Sequence, residues 1–180
     1  IEHIEFNLFT LTEQEFELLY LCLAFENISK DLPKQIKNES LSGEDVITKK
    51  LYADYSAFRR VLYQNIVQQN PQIDKLLLFK KTQKLLDRFL FILFAEDRQL
   101  LHPNSIRTIL DQWKQLKEFD SYKPLWERFK LYFHYMNVGR KGSQYDIFPY
   151  NGGLFLPDEI LDSIAIDDEI LYEHTLKLSH

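Results

Sequence analysis

Apolar side chains recur at helical spacing over most of this chain. Leu51, Tyr55, Phe58, Leu62 and Ile66 fall four, three, four and four apart, which is one face of a helix, and Asn70-Pro71 ends it. Asp54, Arg59, Arg60 and Gln64 lie off that face. Upstream, Thr12 and Glu15 form a capping box for a helix that runs through Leu18–Phe25, a stretch apolar on every side. Such a helix needs enclosure: it sits centrally, or it packs against protein outside this chain. Between these two elements, Asp31–Gly43 is polar and broken by Pro33 and Gly43, which predicts a linker with at most a short helix.

A third helix is expected from about Asp74 to Leu101. Leu85, Leu86, Phe89, Leu90, Ile92, Leu93, Phe94, Leu100 and Leu101 fill about half of its wheel at roughly 100° per residue. Lys80, Lys81, Lys84, Arg88 and Arg98 occupy the opposite sector, with Phe91 among them. Glu96 and Asp97 project into the apolar half, near a helix end where the macrodipole also disfavours negative charge. They call for partners, either Arg or backbone N–H groups of another helix, and are assigned to a structural ion-pair network. Their neighbouring positions, about 100° apart, suit a catalytic or metal-binding carboxylate pair less well.

After His102-Pro103, Asn104 or Ser105 can cap a fourth helix with the face Ile106, Ile109, Leu110, Trp113 and Leu116. Pro124 fits the first turn of a fifth, with Leu125, Phe129, Phe133 and Met136 in register and an end near Gly139. Four of the five glycines then fall between Gly139 and Gly153. They predict a structured loop, with a short hairpin at Asn151-Gly152 as one form of it. An acidic helical segment starting near Asp167 closes the chain. The expectation is a mainly α fold, a bundle of about five helices with a short irregular or hairpin element near 145–156. Its parts are a lead-in and linker over 1–43, the bundle over 44–138, and the loop and acidic segment over 139–180. Ile1 in place of a start methionine, and an end without a stop signal, suggest a piece of a longer polypeptide.

Composition adds limits. With 180 residues, 45% hydrophobic and 27% charged, the chain is globular in type. The lone Cys22 excludes an internal disulfide framework and a CxxC zinc site, and suits a reducing, cytoplasmic compartment. No apolar run approaches the roughly 20 residues of a membrane span, so no membrane partner is expected. The net charge of −5 is unevenly spread: residues 1–74 carry −5, 75–141 carry +7, 142–149 carry −1 and 150–180 carry −6. A basic middle third permits contact with a nucleic-acid backbone, and it equally permits pairing with its own acidic flanks.

Recognisable active-site patterns are missing. No Asp or Glu stands two residues before a Lys, so the D/E-x-K element of many metal-dependent nucleases is absent. The five histidines are scattered, and no HExxH occurs. Gly139-Arg140-Lys141-Gly142-Ser143 is not a P-loop; it is a solvated turn or a place to touch a phosphate. Phe148-Pro149-Tyr150 approaches the Asn/Asp-Pro-Pro-Tyr/Phe loop of adenine methyltransferases, but Ile147 stands where that loop needs a polar group. The positive feature that remains is the basic stripe Lys80, Lys81, Lys84, Arg88 and Arg98, a candidate for DNA-backbone contact.

Three blocks occur in order: Tyr63 to Pro71, Gln83 to Arg98 (QKLLDRFLFILFAEDR) and Tyr150-Asn151-Gly152-Gly153-Leu154-Phe155. Together they make residues 45–178 resemble the helical region of bifunctional type IIG restriction–modification proteins. That region lies between their nuclease and their adenine-specific DNA methyltransferase. The resemblance implies a non-catalytic connecting and positioning role, with no catalytic, cofactor or metal residue within this chain. It assigns S-adenosylmethionine and Mg2+ to the parent polypeptide, and it makes the flanking nuclease and methyltransferase domains the partners. Tyr150, Asn151, Gly152, Gly153 and Phe155 are the expected docking residues toward such a domain. A free-standing helical protein-interaction module of a phage-defence system is the alternative.

Overall fold

Capping chemistry sets the helix limits in the computed structural model, which describes residues 7–119, 122–142, 145–150 and 152–179. Helix α1 (Glu13–Leu23) starts at Thr12. The Thr12 hydroxyl accepts from Glu15 N–H at 3.3 Å, and the Glu15 carboxylate accepts from Thr12 N–H at 2.8 Å. Two otherwise orphaned donors are thereby satisfied. Ala24 turns extended, with φ −61° and ψ 134°, and splits the apolar run, so that α2 (Phe25–Ser29) is a separate helix. Neither helix buries a residue. The enclosure that the apolar run calls for is therefore not provided among the described residues.

Helix α3 (Leu32–Gln69) replaces the linker expected at Asp31–Gly43. Pro33 falls in its first turn, where a missing N–H costs nothing. One glycine inside a helix costs about 1 kcal/mol relative to alanine, too little to break a long one. The chain forms two compact units, Ile1–Lys50 and Leu51–His180, and the division falls within α3.

In the second unit the end of α3 is followed by α4 (Lys75–Asp97), α5 (Ser105–Glu118), α6 (Leu125–Val138), α7 (Glu159–Ser163) and α8 (Asp168–Leu178). Among the described residues there are eight helices and no strand, so the fold is mainly α. The number exceeds the expected five because Ala24 splits the first helix into α1 and α2, α7 is an additional short element, and the acidic segment forms α8. The irregular segment after α6 holds one antiparallel bridge, Arg140 to Ile147, upstream of the Asn151-Gly152 position expected for a hairpin. No helix among the described residues is long and apolar enough to cross a membrane.

The predicted faces meet in one core. Phe58, Leu62 and Ile66 of α3 join Leu85, Phe89 and Ile92 of α4, Ile106, Leu110 and Trp113 of α5, and Phe129, Phe133 and Met136 of α6. Phe89 stands edge-on to Phe129, with centroids 4.9 Å apart and planes at 85°. Leu171 and Leu178 bring α8 into the same cluster.

Polar latches fix the acidic end of the chain to α3. Asn70, only 3% exposed, ends α3 and donates from Nδ2 to the Ile66 carbonyl at 2.8 Å and the Ala165 carbonyl at 2.9 Å. Its Oδ1 accepts from Ala165 N–H at 2.9 Å. One turn earlier, Asn65 accepts from Asp167 N–H at 3.0 Å, and both Asn65 and Gln69 donate to the Asp167 carboxylate. Asn70 thus replaces a strand's ladder for a single residue. Asn70→Ala would leave the Ala165 N–H and C=O without partners and should destabilise the chain by about 2 kcal/mol. Urea unfolding followed by far-ultraviolet circular dichroism reads this; an unchanged midpoint would mean the latch contributes nothing.

Candidate functional site

The basic side of α4 is closed by the chain that follows the glycine-rich loop. Lys81 and Lys84, one turn apart, converge on Asp158, with Nζ to carboxylate distances of 2.7 and 2.9 Å. The Asp158 side chain is 9% exposed. It also caps α7, accepting from Leu161 N–H at 3.0 Å, while its own N–H donates to Asp162 at 2.9 Å. Burial disfavours ionisation of Asp158, but the Leu161 N–H and the two ammonium groups outweigh it and hold the carboxyl well below the usual carboxylate range.

Arg88, one turn further on, is 1% exposed. Its Nε donates to the Leu154 carbonyl at 3.0 Å and its Nη2 to the Leu156 carbonyl at 2.9 Å. The guanidinium lies 5.1 Å from the Phe133 centroid and 5.9 Å from that of Phe155, with Asp162 at 4.0 Å. Burial lowers its pKa, and Asp162 and Asp158 pull it back up. The stripe expected to face solvent is therefore divided. Arg88 is inside, Lys81 and Lys84 are engaged with Asp158, and Lys80 and Arg98 are exposed. A helical wheel ranks positions by their own polarity, and residues 154–162 cover the polar sector instead of water.

The aromatic block packs on the same side. Phe155, 2% exposed, has its ring centroid 5.4 Å from that of Phe91, 5.9 Å from that of Phe133 and 5.8 Å from that of Tyr150. Tyr150 sits 4.3 Å from Phe91, and its N–H donates to the Met136 carbonyl at 2.7 Å. Gly153 takes φ +76°, and a Cβ on Gly152 would come within 2.3 Å of the Tyr150 ring, so both positions require glycine. Tyr150 and Phe155, expected to anchor on another domain, are instead anchored on α4 and α6 of this chain. Asn151, expected with them, lies outside the described residues.

Among the described residues Glu96 and Asp97 form no ion pair, and Glu96 takes the other expected kind of partner, a backbone N–H of another helix. Glu96 Oε1 accepts from Ile106 N–H at 3.2 Å, in the first turn of α5. Asn104, the residue before that helix, is left-handed at φ 60° and gives no side-chain cap. The carboxylate of one helix thus caps another. Burial raises the Glu96 pKa, against the hydrogen bonds of Ile106, Ser105 and Asn104. Asp97 is exposed. Among the described residues no three His, Cys, Asp or Glu gather as a metal-ligand set.

A second feature was not legible beforehand. Between α5, α6 and residues 140–142 and 145–147 lies a cleft of about 310 Å³. Arg128, Tyr132 and Tyr135 line it from α6, at spacings of four and three, and Arg140 and Tyr145 line it from the loop. The sequence signal was that α6 spacing, masked because Tyr132 also belongs to the core. Gly139, at φ +82°, turns the chain into this loop.

The Asp158 clamp has a defined acid signature. Because the folded state depresses this carboxyl, its stabilisation is present above the unfolded value of about 4 and is lost as pH falls through the folded value. Asp158→Asn should cost about 2 kcal/mol at pH 7 and should flatten the loss of stability between pH 5 and pH 2. Urea midpoints across that range check both; parallel pH curves for wild type and variant would contradict the assignment.

Residues 80–155 match the family model described as the helicase spacer domain of MmeI, a type IIG enzyme. No curated protein and no solved structure matches the chain. The matched stretch holds α4 from Lys80 onward, α5, α6 and the aromatic block that closes on Arg88, and it is similar to a type IIG connector domain.

Proposed function

We propose that this chain is a non-catalytic connector in a type IIG-like restriction–modification polypeptide, holding a nuclease module and a methyltransferase module at a fixed separation. The observation that carries this reading is the match to a spacer domain over the segment that builds the bundle. The clamp gives it a physical basis. Two lysines, an arginine and four aromatic rings tie the polypeptide leaving α6 back onto α4. A connector locked in this way transmits position, whereas a flexible one would spread the distance between its ends. On this reading S-adenosylmethionine and Mg2+ belong to the flanking modules. Lys80 and Arg98, the exposed members of the basic stripe, are left to meet the DNA backbone.

The test uses the whole polypeptide that carries this chain. Asp158→Ala and Phe155→Ala are expected to broaden the distribution of cleavage positions relative to the recognition sequence while methylation of that sequence continues. Lys114→Gln, exposed on α5 and outside the clamp, should keep the parental spacing. Sharp, unshifted cleavage in both clamp variants, despite a lowered unfolding midpoint, would refute the positioning role.

A further inference from the structure

The cleft between α5, α6 and the loop after Gly139 is lined by two arginines, three tyrosines and aliphatic and neutral polar side chains, with no carboxylate among the described residues. Arg128 contributes an Nε–H that is shielded from solvent and meets no acceptor among the described residues. A donor that a water-sized probe does not reach is closed to a ligand as well, so Arg128 serves the cleft through the terminal Nη groups of its guanidinium. Arg140 brings a second guanidinium, held 4.6 Å from the centroid of the Tyr135 ring. The neighbouring hydroxyls are already engaged: Ser105 donates to the His102 carbonyl at 2.7 Å and Thr108 to the Asn104 carbonyl at 2.8 Å. The two arginines are therefore the charged donors that the cleft offers to a ligand.

We infer that this cleft binds the phosphate of a nucleotide, with Arg128 and Arg140 on the phosphate oxygens and the tyrosines against the base. Planar guanidinium groups match phosphate oxygens in pairs, which a carboxylate-free lining leaves unopposed. Tyr145, also in the lining, is held by stacking on His102, with centroids 4.0 Å apart and planes at 15°, a contact that occupies one of its two ring faces. Base-on-tyrosine stacking contributes about 1–3 kcal/mol and tolerates any base. The Gln112 amide in the lining carries both a donor and an acceptor for a base edge. At about 310 Å³ the cleft is at the small end of ligand sites, of a size for one nucleotide. A free mononucleotide and one nucleotide of a DNA strand share this chemistry. The inference stands on the cleft alone and does not depend on the connector reading.

Isothermal titration of the full chain with deoxyadenosine monophosphate, inorganic phosphate, and a short single-stranded and duplex oligonucleotide tests it. The nucleotide should bind, inorganic phosphate should bind at least about tenfold more weakly, and Arg128→Gln and Arg140→Gln should each weaken nucleotide binding about tenfold, a change of about 1.4 kcal/mol. Arg140 is exposed, so that variant keeps its fold, and the unfolding midpoint verifies this. An oligonucleotide that binds tighter than the mononucleotide, and is displaced by it, supports the site with a DNA strand as the source. Equal or weaker oligonucleotide binding supports it with a free nucleotide. Absence of binding by every probe, binding unchanged in Arg140→Gln, or inorganic phosphate binding as tightly as the nucleotide would overturn the inference.

Discussion

A guanidinium buried between phenyl rings holds the second unit together. Arg88 is the largest fully buried side chain, and it satisfies its charge with two backbone carbonyls that belong to no regular element. Removing an arginine from water is costly unless hydrogen bonds and a counter-charge replace the solvent. Leu154 and Leu156 supply the bonds, Asp162 the charge, and Phe133 and Phe155 the faces on which the cation rests. The stretch from Leu154 to Asp162 is placed by this requirement. The glycines permit the turn, Phe155 enters the core, and Asp158 arrives within reach of Lys81 and Lys84.

The charge distribution gains a structural meaning from this arrangement. The basic middle of the chain and its acidic end were compatible with an outside polyanion or with each other. Lys81 and Lys84 meet Asp158, Lys117 meets Glu169, and Tyr122 donates to Asp168, whose other oxygen accepts from the first N–H of α6 at 2.8 Å. For these groups the partner lies within the chain. Among the described residues, Lys80 and Arg98 on α4 and Arg128 and Arg140 beside α6 are in none of these ion pairs.

Much of the fold was legible because helices announce themselves locally. The α3, α5 and α6 faces, the Thr12 cap, the stop at Asn70-Pro71 and the start of α8 near Asp167 all depend on residues within a few positions of one another. Long-range facts were not legible. Pro33 and Gly43 read as a linker because punctuation residues are ambiguous when they fall at a helix start or inside a long helix. Glu96 was recognised as misplaced, but its partner, the uncapped start of α5, could be named only once Asn104 was seen to be left-handed. Arg88 and Phe91 lay in the polar sector of the wheel because nothing in a wheel indicates which segment returns to cover it. The cleft escaped for the same reason: α5 meets α6 and the loop that follows it only in space.

The separation in sequence between Arg88 and its carbonyls sets an order of events during synthesis. Leu154 and Leu156 stand 66 and 68 residues downstream of Arg88. At about 5–20 residues per second, α4 leaves the ribosome roughly 3–13 seconds before its partners exist. For that interval α4 presents its whole basic face, Arg88 included, to its surroundings, and the helices already made have no closing contact on that side. The nascent chain thus differs chemically from the folded one: a helix with five basic and three acidic residues leaves Lys81, Lys84 and Arg88 uncovered until residues 154–162 arrive.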